Sequence, residues 1–139
     1  MKALLIAALL APGAADTPEA EVERGVAAYN ARDIKYYEAA LAPDVVYIAE
    51  DGAVMSGKDR VLRLFGRIFS ATPPRQLAVE AVTTGSKGDV AWARFKWTLT
   101  IGQETRKGVG TTLFVRGADR WQVVQIQNTP DGHAMTRGH

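Results

Sequence analysis

With 139 residues, 47% of them apolar and 23% charged, the chain can build one domain around one core and lacks the charge excess of a disordered one. It has no cysteine, which excludes a disulfide framework, a thiolate nucleophile and a zinc–thiolate site. A net charge of +2 gives no broad positive field, so nucleic acid is not an expected partner.

The chain opens with Met1-Lys2 and the apolar run "ALLIAALLA", closed by Pro12. Gly13 and Ala15 suit the −3 and −1 sites of a signal peptidase. Residues 1–15 therefore read as a secretory signal cut after Ala15, with a periplasmic or secreted product. The run is too short to cross a bilayer, which takes about 20 residues.

Thr17 is placed to cap a helix, with Pro18 at its first position and acids in its first turn. Val22, Val26 and Tyr29 share one face, so a helix is expected over Pro18 to Ala31. Asp33 caps a second, "IKYYEAAL", which Pro43 ends. Val45 to Ala49 is short and β-branched, a strand expected to be buried on both faces. Asp51-Gly52 signals a type I′ hairpin turn, and Ala53 to Met55 returns as a second short strand. Ser56 and Asp59 have the spacing of a capping box for a third helix, Lys58 to Ser70. Its apolar stripe is Val61, Phe65, Ile68 and Phe69, while Arg60, Arg63 and Arg67 form a solvated face.

After Pro74 the hydrophobic period falls from 3.6 to 2. "QLAVEAVTT" sets Leu77, Val79 and Ala81 on one side. "VAWARFKWTLTI" alternates most clearly, with Phe95, Trp97 and Leu99 on one face and Trp92, Arg94 and Lys96 on the other. "RKGVGTTLFVR" and "RWQVVQIQN" complete four consecutive antiparallel strands, and residues 131–139 form a tail.

Three helices, a small hairpin among them and a long meander give an α+β fold. The motifs "VAAYNARD", "LAPDVVYIAEDGAVMSGKDRVLRLF", "GDVAWARFKW" and "GTTLFVRGADRWQVVQIQNTP" follow in the order seen in the nuclear transport factor 2-like superfamily. The chain resembles that superfamily and, within it, the SnoaL-like proteins. The resemblance implies a cone over residues 16–130, in which a strongly curved antiparallel sheet wraps the helices around an apolar pocket. It also implies a homodimer paired through the outer face of the sheet.

Fold resemblance does not carry an activity. Laid on the ketosteroid isomerases of this superfamily, the oxyanion-donating tyrosine falls on Gly25 and the catalytic aspartate on Ala49, and neither can move a proton. The histidine–aspartate pairs of scytalone dehydratase find no counterpart, because His133 and His139 lie beyond the last strand. These two are also too few for a metal site. The Asp-Arg-Asp arrangement of the fold's epoxide hydrolases would leave only Arg94 and Glu80, expected as an outer-face pair. Asp51 is explained by the turn. Glu50 remains the one weak catalytic candidate, a carboxylate at the rim.

The expected ligand-binding residues are Tyr29, Tyr37, Tyr47, Phe65, Phe95 and Trp97. Gln125 and Gln127 join them, because they share parity with Trp121 and Val123. The reading that follows is an exported, non-catalytic domain for a small apolar or aromatic molecule, without cofactor or metal. Two alternatives stand beside it. One is a SnoaL-like enzyme doing acid–base chemistry with Glu50 and a tyrosine. The other is a homo-oligomeric interaction domain resembling the calcium/calmodulin-dependent kinase association domain.

Overall fold

The computed structural model describes residues 16–131. Residues 1–15, where the signal was expected, the tail from residue 132 onward and both histidines lie outside the described residues.

Helix α1, Pro18–Ala31, begins where Thr17 Oγ1 accepts from the Ala20 amide at 3.0 Å, and ends at Arg32 in the left-handed region. Asp33 caps α2, Ile34–Ala40, through the Tyr36 amide. The chain leaves α2 one residue sooner than expected, and Leu41 already belongs to strand β1, Leu41–Ile48. Pro43 then sits inside the strand, where its missing N–H coincides with a break in pairing register between Leu41 and Val46. Only Leu41, Ala42 and Val45 of β1 are fully buried, so the strand is not covered on both faces.

The hairpin to β2, Val54–Ser56, uses a three-residue loop rather than a type I′ turn. Gly52 N–H donates to Ala49 and Ala49 N–H to Ala53, and only Gly52 has a positive φ, 86°. That is a type I turn closed by a glycine bulge. Asp51 completes it by accepting from the Ala53 amide at 3.0 Å. The expected capping box also fails. Gly57, at φ 96°, is the N-cap of α3, Lys58–Ser70, and makes no side-chain cap bond, because Ser56 is held in β2.

Strands β3 (Arg75–Lys87), β4 (Val90–Ile101), β5 (Glu104–Arg116) and β6 (Trp121–Pro130) form the meander. The sheet order is β2-β1-β6-β5-β4-β3, antiparallel except for the parallel pair β1–β6. Register breaks bend it at Ala81–Val82 of β3 and at Val124 of β6. The first break also sets Glu80 opposite Lys96 and Arg94 opposite Thr83, so the expected Glu80–Arg94 pair does not form. Asn30 fixes α1 on this sheet. Its amide donates to the Leu77 carbonyl at 2.9 Å and accepts from the Leu77 N–H at 2.7 Å, as a neighbouring strand would.

Candidate functional site

Between α1 and the concave face of the sheet lies a cavity of about 160 Å³. From α1 it is lined at Glu21, Val22, Gly25, Val26 and Tyr29, one face of the helix. The eight steps from Glu21 to Tyr29, at 1.5 Å each, make this wall about 12 Å long. The opposite wall is β4, where the Phe95 and Trp97 rings lie against Gly110 and Gly108 of β5. A Cβ at Gly108 would sit 2.1 Å from the Thr129 carbonyl oxygen and 2.4 Å from the Trp97 ring. Glycine there lets the rings lie flat on the sheet.

A chain of rings closes one side. Tyr37 stacks on Phe65 at 4.5 Å between centroids, Phe65 meets Phe69 at 5.9 Å, and Tyr47 meets Phe65 edge-on at 5.8 Å. Contacts of this kind each add about 0.5–1.5 kcal/mol beyond area burial. The Tyr37 hydroxyl donates to the Gly25 carbonyl at 2.7 Å, and burial pushes that phenol far above its ordinary value. Position 25, which the isomerase overlay makes the tyrosine, is thus a bare stretch of wall, and tyrosines arrive there from α2 instead.

At the inner end sits a feature the sequence reading missed. The Glu21 side chain is 0% exposed and lines the cavity. It accepts from Arg24 at 2.8 Å, from Arg120 at 2.7 Å and from the Tyr36 hydroxyl. Burial raises the carboxyl, but Arg24, Tyr36 and Arg120 together outweigh it and hold it below its ordinary value. Burial and the Glu21 charge drive the Tyr36 phenol the other way, well up. The cavity therefore does contain a deep acid, contrary to expectation, kept as a carboxylate. Its sequence signal was ambiguous, because an acid in a first helical turn is ordinary dipole chemistry.

At the more exposed end stand Tyr29, Tyr47, Glu50, Arg75 and Asn128, all lining the cavity. Asn128 Nδ2 donates to the Tyr47 hydroxyl at 2.9 Å. Burial pushes Tyr47 up to about 12 and also raises Tyr29, whose rise the neighbouring Arg75 guanidinium partly offsets. Glu50 pairs with Arg106 at 3.7 Å, both side chains partly exposed. Asp51 is engaged in the turn and does not line the cavity.

Of the expected residues, Tyr29, Tyr37, Tyr47, Phe65, Phe95, Trp97 and Glu50 line the cavity, and Gln125 and Gln127 do not. The cause is Val124. Phe114 pairs with Val123 but Leu113 pairs with Gln125, so one extra residue reverses the parity of β6. Ile126 and Asn128 take the inward positions. No group of three or more metal-ligating side chains converges among the described residues.

The SnoaL-like domain profile matches residues 19–129, nearly the whole described chain. The chain belongs to the SnoaL-like domain family. A search of curated proteins returned no match. Among solved structures, the SnoaL-like chain is similar to a Thiobacillus denitrificans protein provisionally assigned as a calcium/calmodulin-dependent protein kinase type II association domain. That pair is 30% identical over 84% of this chain and 96% of the other, with a TM-score of 0.73. A nuclear transport factor 2-like protein of Pseudomonas putida is 23% identical over 78% of this chain and 80% of its own, with a TM-score of 0.71. A provisionally assigned dehydratase of Streptomyces avermitilis from the same superfamily is 22% identical over 83% and 99%, with a TM-score of 0.70. The last two carry the fold alone. No helix among the described residues is long and apolar enough to cross a membrane.

Proposed function

We propose that this SnoaL-like domain is an exported binding protein for a small apolar or aromatic molecule and does no chemistry on it. The cavity carries this reading. Its volume of about 160 Å³ is that of a site for one aromatic ring, since an apolar cavity of roughly 150 Å³ accepts benzene. Its walls are mostly rings and aliphatic side chains, with Thr112, Asn128 and Arg75 among them, and both carboxylates in them, Glu21 and Glu50, are engaged by arginine. The export part rests on residues 1–15. Mass spectrometry of the secreted or periplasmic protein should find Asp16 at the N-terminus.

Thermal shift with toluene, indole and 3-phenylpropionate tests the binding part. A ligand present at a hundred times its Kd stabilises by about 2.7 kcal/mol. For a domain this size that raises Tm by roughly 10 °C. Val79→Phe, which fills the cavity from β3, should remove the shift. A wild-type protein that no such molecule stabilises would end the proposal.

A second reading, acid–base catalysis, is favoured by one observation: Glu21 and Tyr36 line the cavity as a hydrogen-bonded pair. Turnover of any bound ligand, lost in Glu21→Gln or Glu50→Gln, would replace the first reading. The homodimer is proposed through the outer sheet face, where Trp92, Val90, Val109 and Val115 are exposed.

A further inference from the structure

The wall of the cavity carries hydrogen-bond donors in excess of the acceptors that the described residues offer them. Trp97 is 5% exposed, lines the cavity, and its indole N–H has no partner among the described residues. A buried donor left in this state costs about 1–3 kcal/mol, so an acceptor is expected to meet it when the site is filled. Tyr47 uses its oxygen to accept from Asn128, which leaves its O–H to donate elsewhere. Tyr29 stands beside Arg75 in the same way. Both phenols are raised by burial, so at neutral pH both keep the proton they would donate.

Arg75 is the charge in this set. It lines the cavity at the first residue of β3, and among the described residues no carboxylate lies within 4 Å of it. The nearby acid of the wall, Glu50, is turned to Arg106 of β5, and the inner acid, Glu21, to Arg24 and Arg120. Each wall carboxylate therefore has an arginine outside this group, the one at Glu50 shared with Glu104, while Arg75 donates to the Tyr29 oxygen and has no carboxylate partner among the described residues. A neutral hydrocarbon would leave the Trp97 N–H and the two phenol O–H groups without an acceptor and Arg75 without a counter-charge. A carboxylate answers them, since it accepts through two oxygens and matches the planar fork of arginine.

We propose that the natural ligand is an anion: a single-ring aromatic carboxylate, its ring against Phe95 and Tyr37 and its carboxylate toward Arg75, Tyr29, Tyr47 and Trp97. The inference rests on the binding reading above and narrows it. The volume sets the ring count at one, the unpaired donors call for an acceptor, and Arg75, without a carboxylate partner among the described residues, sets the sign of its charge.

The test is isothermal titration of the full mature chain with benzoate and 3-phenylpropionate, their primary amides, and 2-phenylethylammonium. The carboxylates should bind at least about tenfold tighter than the amides, the effect of one charge-assisted hydrogen bond at a partly exposed arginine. The ammonium should bind weakest. Arg75→Gln should abolish the carboxylate preference and leave amide binding in place. Trp97→Phe, which keeps a ring and removes the N–H, should weaken the carboxylates several-fold. Lys96→Gln, on the outer face, should change nothing. Unliganded Tm values identify any variant that fails to fold, and the wild-type ranking of the three probe classes stands without variants. Amides equal to carboxylates, or the ammonium tightest, would overturn the anion and leave the binding reading standing. No binding of any probe would overturn both.

Discussion

Glu21 is the place where a small change should disturb this molecule most. Its carboxylate carries Arg24, Arg120 and Tyr36 and so ties α1 to α2 and to the turn before β6. Removing one member of a buried ion pair costs about 3–5 kcal/mol. Here the arginine side chains are 41% and 27% exposed and can regain water, which lowers the figure for Glu21→Ala to about 2–3 kcal/mol. In Tm that is roughly 10 °C. Glu21→Gln keeps the shape and part of the hydrogen bonding, so it should lose about half as much. pH dependence gives a second handle. The folded carboxyl lies below its unfolded value, so the unfolded chain binds more protons and stability rises with pH through that window. The advantage of wild type over Glu21→Gln should be complete at pH 7. It should shrink as pH falls below the unfolded value of about 4.3 and through the lower folded value. Urea unfolding of the three proteins between pH 3 and 7 measures this. Both variants within 0.5 kcal/mol of wild type at pH 7, or a difference independent of pH, would refute the reasoning.

Asn30→Ala deletes both bonds to Leu77 and leaves that backbone without its partner. A loss of about 2 kcal/mol is expected in the same unfolding assay. Gly110→Ala brings a methyl 2.6 Å from the Phe95 ring, which can tilt into the cavity, so about 1–3 kcal/mol and weaker ligand binding are expected. Gly108→Ala meets a backbone oxygen as well and should cost more than Gly110→Ala, with thermal melts giving the order. Trp92→Glu places a charge in the proposed dimer face and should convert a dimer to monomer in light scattering, with the far-ultraviolet spectrum unchanged.

The helices were legible because their ends are written locally. Thr17, Pro18 and Asp33 act within one turn, and the observed bounds of α1 and α3 are those expected. The alternation of β4 was equally direct, since it faces a core on one side only. What was lost depended on contacts distant in the chain. The bulge at Val124 adds no unusual residue, yet it turns Gln125 and Gln127 outward and Asn128 inward. The parallel pairing of β1 with β6 joins segments far apart in the sequence and shifts register between Leu41 and Val46, around Pro43. Glu21 read as a dipole acid because Arg120, the partner that helps bury it, lies 99 residues away. Ser56 matched a capping box only until pairing with β1 claimed it for a strand.

The central claim is that the space between α1 and β4 takes one small molecule. Titration of 3-phenylpropionate into wild type and Val79→Phe measures this most directly. A saturable one-to-one isotherm is expected for wild type and none for the folded variant. An equal isotherm in both would place binding elsewhere, and no isotherm in wild type would leave the cavity without a ligand.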